Sequence, residues 1–200
     1  MKLRVILAGL LLAAVSATTA MAAGPYLAAS GGVSIIHDQD IRYPLGATST
    51  AELKTGYGFN INAGYDFDLV RVEFEFGYKQ ADVDKFTSAG GSTPGSGSDT
   101  TFMSYMANAY YDFKNSSKVT PYVGAGIGAL NGEFRDPGFK SDDTVFGYQL
   151  IAGAAYNVTK NVALDLSYRF QGAASDFKIY GDTYVSYMSS NVMAGLRYTF

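Results

Sequence analysis

Tyr57-Gly58-Phe59-Asn60-Ile61-Asn62-Ala63-Gly64-Tyr65-Asp66-Phe67 alternates from end to end. Tyr57, Phe59, Ile61, Ala63, Tyr65 and Phe67 share one face, while Gly58, Asn60, Asn62, Gly64 and Asp66 share the other. Period two marks a β-strand whose faces meet different surroundings. Strands of soluble domains usually run about 5–6 residues, whereas a tilted strand crossing a bilayer needs about 9–11. The length of this stretch predicts a membrane strand.

The pattern recurs downstream. Val70, Val72, Phe74, Phe76 and Tyr78 oppose Arg71, Glu73, Glu75, Gly77 and Lys79. Val119, Pro121, Val123, Ala125, Ile127 and Ala129 oppose Tyr122, Gly124, Gly126 and Gly128. Phe146 to Val158 and Val162 to Gln171 repeat the arrangement. Segments near 102–113 and 184–200 alternate less cleanly, and one near 25–37 leaves its two faces ambiguous. Tight turns fall at Asp66–Leu69, Lys114–Lys118 and Asn157–Asn161, and long polar connections at Asp38–Leu53, Ala81–Thr100, Asn131–Asp143 and Gly172–Thr183. An even strand count, with short turns at one end and long connections at the other, predicts an eight-stranded antiparallel up-and-down transmembrane β-barrel. Within the second long connection, the glycines and serines of Gly90–Ser98 predict a flexible loop.

Alternation alone does not say which face points inward. A soluble ligand-binding barrel would turn its apolar face to the centre. Here Arg71, Glu73, Glu75, Lys79, Asp165, Arg169 and Arg197 share the register of the glycines. Glycine has no packing purpose on a water-facing surface, but inside a narrow barrel it leaves room for large neighbours. Lipid supplies no hydrogen-bond partners, and a closed barrel is one of the two structures that satisfy a backbone there. The apolar rows are therefore expected to face lipid, around a wet, charged interior.

The first residues read separately. Lys2 and Arg4 precede an apolar run from Val5 to Val15, and Ala20-Met21-Ala22 supplies small residues for cleavage. This is the pattern of a secretory signal peptide over residues 1–22, cut after Ala22 or Ala23, with the barrel over 23–200. Removing Lys2 and Arg4 from 15 basic residues leaves 13 against 18 acidic. That balance gives no electrostatic footprint for nucleic acid. The absence of cysteine excludes disulfide staples and thiolate metal sites.

The even-numbered strands end alike, in Tyr65-Asp66-Phe67, Tyr111-Asp112-Phe113, Tyr156-Asn157-Val158 and Tyr198-Thr199-Phe200. Tyr65, Phe67, Tyr111, Phe113, Tyr156, Tyr198 and Phe200 predict an aromatic girdle at the inner membrane–water boundary. A propeller also repeats at about 40–45 residues, but each blade needs four short strands rather than two long ones. Gly195-Leu196-Arg197-Tyr198-Thr199-Phe200 resembles the C-terminal signal read by the bacterial barrel-assembly machinery, carried by Gly195, Tyr198 and Phe200. Met193 stands where that signal usually has a polar residue.

Three further stretches carry a wider resemblance: Asn108-Ala109-Tyr110-Tyr111-Asp112-Phe113, Thr120-Pro121-Tyr122-Val123-Gly124-Ala125-Gly126-Ile127-Gly128 and Tyr148-Gln149-Leu150-Ile151-Ala152-Gly153-Ala154-Ala155-Tyr156. With them the chain resembles the eight-stranded opacity-type surface antigens and the membrane domain of outer-membrane protein A. The resemblance implies a barrel in the outer membrane of a Gram-negative bacterium, exported through the periplasm. No peptidoglycan-binding domain is expected after it.

The seven inward charges are expected to pair across the lumen, Glu73 with Arg169 among them, and to fill it. Catalysis has little support. His37 is the only histidine, no strand presents a histidine–serine pair on its lipid face, and Asp142 and Asp143 fall in a long connection. No enzyme, cofactor or metal site is expected. The leading expectation is a structural and interaction protein whose four outer loops meet lipopolysaccharide, a host surface or other envelope proteins. A narrow pore for ions or small solutes and a lipid-modifying envelope enzyme are the alternatives.

Overall fold

A computed structural model describes residues 24–200 apart from Ser96. The expected signal segment lies outside the described residues. Eight long strands form the wall: β1 (Gly24–Ile36), β2 (Gly56–Asp66), β3 (Val70–Ser88), β4 (Asp99–Asp112), β5 (Val119–Asp136), β6 (Phe139–Asn157), β7 (Val162–Ala173) and β8 (Met188–Thr199). Each pairs antiparallel with the next, and β1 closes on β8 from Tyr26↔Thr199 to Ile36↔Ser189. Closure leaves no free edge within the wall, the condition for a β-sheet in hydrocarbon. No helix among the described residues is long and apolar enough to cross a membrane.

The orientation follows from exposure. Ile61 is 57% exposed, Leu150 57% and Leu166 59%, while Glu75 is 1% exposed and Asn191 0%. The apolar rows point outward, and the charges and glycines point in. In β1, Tyr26, Ser34 and Ile36 turn inward and Leu27, Val33 and Ile35 outward, so its ambiguous faces are now assigned.

The inward glycines make room for rings. A Cβ on Gly64 would lie 2.5 Å from Tyr26 Cζ, and one on Gly153 2.5 Å from Tyr122 Cζ. Gly195 lies on the closing seam opposite Ser30, where a Cβ would meet the Ala29 carbonyl oxygen at 2.6 Å.

The sequence predicts a wet interior, and the outer half departs from that expectation. In the outer half of the barrel, Ile36, Ala81, Phe102, Met106, Leu130, Phe177 and Tyr187 form a buried cluster. Phe102 and Tyr187 pack at a centroid distance of 4.0 Å. Phe102 and Met106, inward on β4, are why that strand alternates poorly in sequence.

The long connections are also more ordered than expected. β5 and β6 continue in register from Leu130↔Val145 to Asp136↔Phe139, turning at Pro137-Gly138, with Gly138 at φ +83°. Gln39–Arg42, Thr48–Leu53, Phe177–Tyr180 and Thr183–Val185 join the outer part of β3 in a sheet above the barrel. Ile41, Ala51, Val83 and Val185 give that sheet a small core. Gly91–Pro94, expected in a flexible loop, pairs with Lys85–Ser88.

Candidate functional site

Inward positions on β1, β2, β3, β4, β6 and β7 bring one polar cluster together in the lumen. Glu73 accepts hydrogen bonds from Tyr26 Oη at 2.8 Å, Asn62 Nδ2 at 2.6 Å, Asn108 Nδ2 at 3.1 Å and Tyr110 Oη at 2.5 Å. Glu75 accepts from Asn62 at 2.9 Å and Gln149 at 3.1 Å, and forms an ion pair with Arg169. Arg169 is thus the partner of Glu75, not of Glu73 as expected. Both carboxylates lie on the lumen face of β3, and the guanidinium meets the second of them.

Arg71 pairs with Asp112 on β4, an acid outside the seven charges expected to pair across the lumen. It grips Asp112 with Nε donating at 2.8 Å and Nη2 at 3.0 Å, a fork geometry that matches a carboxylate. Its guanidinium lies over the rings of both Tyr110, at 4.5 Å, and Tyr122, at 4.9 Å. Lys79 donates to Gln171 Oε1 at 2.6 Å, and Asp165 accepts from Tyr122 Oη at 2.5 Å. Arg197 lies over the Tyr26 ring, and its Nη1 has no hydrogen-bond partner among the described residues. The inward register finds the seven charges and Tyr122, but not the other tyrosines that carry their hydrogen bonds. Tyr122 was visible in that register, Tyr110 was hidden in a strand of mixed pattern, and Tyr26 lay on the ambiguous β1.

At the short-turn end the mouth holds a cavity of about 280 Å³ lined by Asp66, Asp112, Lys114, Lys160 and Arg197 among others. The aromatic pairs Tyr65–Phe67, Tyr111–Phe113 and Tyr198–Phe200 pack at 4.7, 5.1 and 5.1 Å around that end, with Tyr156 exposed beside them.

The outer wall carries a contact that reading single strands does not find. His37, just past β1, has Nε2 2.9 Å from Ser190 Oγ on β8, and Tyr168 Oη on β7 lies 2.9 Å from the same oxygen. A histidine and a serine therefore do meet on the lipid-facing wall, across two strands rather than along one. Asp142 and Asp143 lie on the outer extension of β6, where Asp143 accepts from the Lys178 backbone N–H at 2.8 Å. Among the described residues, no group of three or more His, Cys, Asp or Glu side chains could hold a metal ion.

Known proteins share this architecture. Outer membrane protein PagN of Salmonella typhimurium is 28% identical over 95% of each chain. A candidate adhesin of Rickettsia conorii is 27% identical over 75% of this chain and 70% of its own. The crystal structure of Neisserial surface protein A superposes with a TM-score of 0.60 at 28% identity, covering 89% of this chain and 99% of that one. Residues 5–200 match the family model described as the outer membrane protein beta-barrel domain. With the match spanning almost the whole sequence, the chain belongs to that family of Gram-negative outer-membrane β-barrel proteins.

Proposed function

We propose that this protein is an adhesin-like surface protein whose barrel is a closed pedestal and whose outer β-structure is the recognition element. The observation that carries the reading is the sheet above the barrel. Four strands from the first and last long connections join the outer part of β3, with a core of Ile41, Ala51, Val83 and Val185. A preordered platform loses less conformational entropy on binding than four free loops would. The candidate-adhesin name of the Rickettsia relative and the surface-protein name of the Neisserial structure support the same direction.

The partner class is a host surface or another envelope protein, with lipopolysaccharide packed around the rim. In the lumen the charge cluster serves as filling, sealed outward by the apolar cluster, which argues against a conducting pore. The girdle residues anchor the inner boundary, and Gly195, Tyr198 and Phe200 serve recognition by the assembly machinery.

Replacing 39–53 and 177–185 by short Gly/Ser turns tests the platform. Cells displaying this variant should lose adherence while the barrel keeps its heat-modifiable gel mobility. Undiminished adherence by a folded variant would overturn the reading.

A further inference from the structure

On the exterior of β8, Met188, Val192, Ala194, Leu196, Tyr198 and Phe200 form an exposed apolar row interrupted by Ser190. Ser190 lies ten residues above Phe200. At about 3.4 Å per residue and a tilt of about 40°, that is a height of roughly 25 Å, the full thickness of the apolar band of such barrels. The serine therefore lies at the outer boundary, the depth at which acyl esters of outer-leaflet lipids join their headgroups.

Three functional groups converge there, two from β7 and β8 and one from the residue after β1. A hydrogen-bond chain running Tyr168 Oη to Ser190 Oγ to His37 Nε2 satisfies both 2.9 Å contacts. In that direction Nε2 accepts and the proton of the neutral imidazole is on Nδ1. A nucleophile bonded to a base, with a further donor within about 3 Å, is the geometry of acyl transfer.

We propose that Ser190, His37 and Tyr168 form a hydrolytic site for a fatty acyl ester presented by the outer leaflet. Ser190 Oγ attacks the acyl carbonyl carbon as His37 Nε2 takes its proton. The Tyr168 hydroxyl swings from Oγ to the developing oxyanion. The C–O bond to the alcohol breaks, and the departing alkoxide takes the proton from His37. Water, deprotonated by His37, then releases the fatty acid and restores Ser190. The sum is ester plus water giving acid plus alcohol, with no redox change.

Among the described residues none bonds His37 Nδ1, so the imidazole lacks the orienting carboxylate of a full triad. Disabling that group in a serine protease lowers turnover about 10⁴-fold. The site is therefore slow, and covalent capture is its most sensitive readout. This activity is independent of the adhesion reading, because it uses the wall and not the platform.

The test treats folded protein in phosphatidylcholine vesicles with a fluorophosphonate, which loses fluoride as it bonds to an active serine, and follows intact mass. Wild type should gain one adduct, and S190A none. H37Q should slow labelling about 10³-fold or more, and Y168F about 10²-fold. All three changes lie on the exposed wall, and heat-modifiable mobility checks their folding. Fatty acid release is then measured from phosphatidylcholine and from lipopolysaccharide in separate vesicles, to identify the source of the ester. Labelling of wild type no faster than S190A overturns the proposal, as does labelling without acid release from either lipid.

Discussion

Glu75 and Arg169 are 1% and 7% exposed; they pair with each other, and Glu75 also accepts from the amides of Asn62 and Gln149 while Arg169 Nε donates to Ser167 Oγ. Removing one member of such a pair leaves the other desolvated, a loss of about 3–5 kcal/mol. Glu75→Ala should therefore lower unfolding free energy in urea by that amount. In double-mutant cycles, Glu75 with Arg169 should couple more strongly than Glu73 with Arg169, because four neutral donors already satisfy Glu73. Equal coupling would show that the cluster is loosely hydrated rather than specifically bonded. Gly64 makes a second residue-scale prediction. Its added Cβ would lie 2.5 Å from both Tyr26 Cζ and the Val72 carbonyl oxygen, so neither a rotamer change nor a small shift relieves both contacts. Gly64→Ala should destabilise the barrel by about 1–3 kcal/mol, as overpacking does, visible as a lower urea midpoint. Alternation revealed which side chains enter the lumen. It held no information on cross-lumen partners, which depend on strand stagger and on side-chain length.

Strands β5 and β6 show what hydropathy sees at the scale of an element. Up to Leu130 their two faces meet lipid and lumen, and the sequence alternates. Beyond it polar and charged residues such as Asn131, Glu133 and Arg135 replace the lipid-facing row while Phe134 still packs inward on Phe102, so Asn131–Asp143 resembles a loop although the ladder continues to Asp136↔Phe139. β4 hides its pattern for the opposite reason, because Phe102 and Met106 place apolar groups on the lumen side as well. The extended hairpin carries Glu133, which accepts from Lys140 Nζ at 2.9 Å and pairs with Arg135. The hydrogen bond from Lys140, aided by the charge of Arg135, holds the Glu133 carboxyl below its ordinary value of 4.5. A depressed folded-state pKa contributes order that is present above the unfolded value and lost as pH falls through the folded one. Amide exchange over 133–140, corrected for intrinsic rate, should rise relative to the barrel wall as pH drops below 4.5. Glu133→Gln should remove that dependence. An exchange ratio flat with pH in both proteins would dissociate Glu133 from the order of the hairpin.

Across the whole molecule, two unlike layers are stacked in one tube. The lower is the Glu73–Glu75–Arg169 cluster with Arg71 and Asp112, and the upper is the apolar cluster around Phe102, Leu130 and Phe177. Eight strands enclose an interior about as wide as the side chains that fill it. An ion must displace a bonded network in the first layer and lose its hydration in the second, so the layers act as resistances in series. Wild-type protein in planar bilayers should therefore show no steady unitary steps. Phe102→Ala shortens only the upper layer and should stay closed, although loss of a buried ring should lower its stability by about 3–5 kcal/mol. Arg169→Ala opens only the lower layer and should also stay closed. The double variant, verified as folded by heat-modifiable mobility, should give discrete small steps. Steady steps from wild type would show that the layers part on their own and would restore the narrow-pore reading. Steps from one single variant would mean that its layer alone carries the seal.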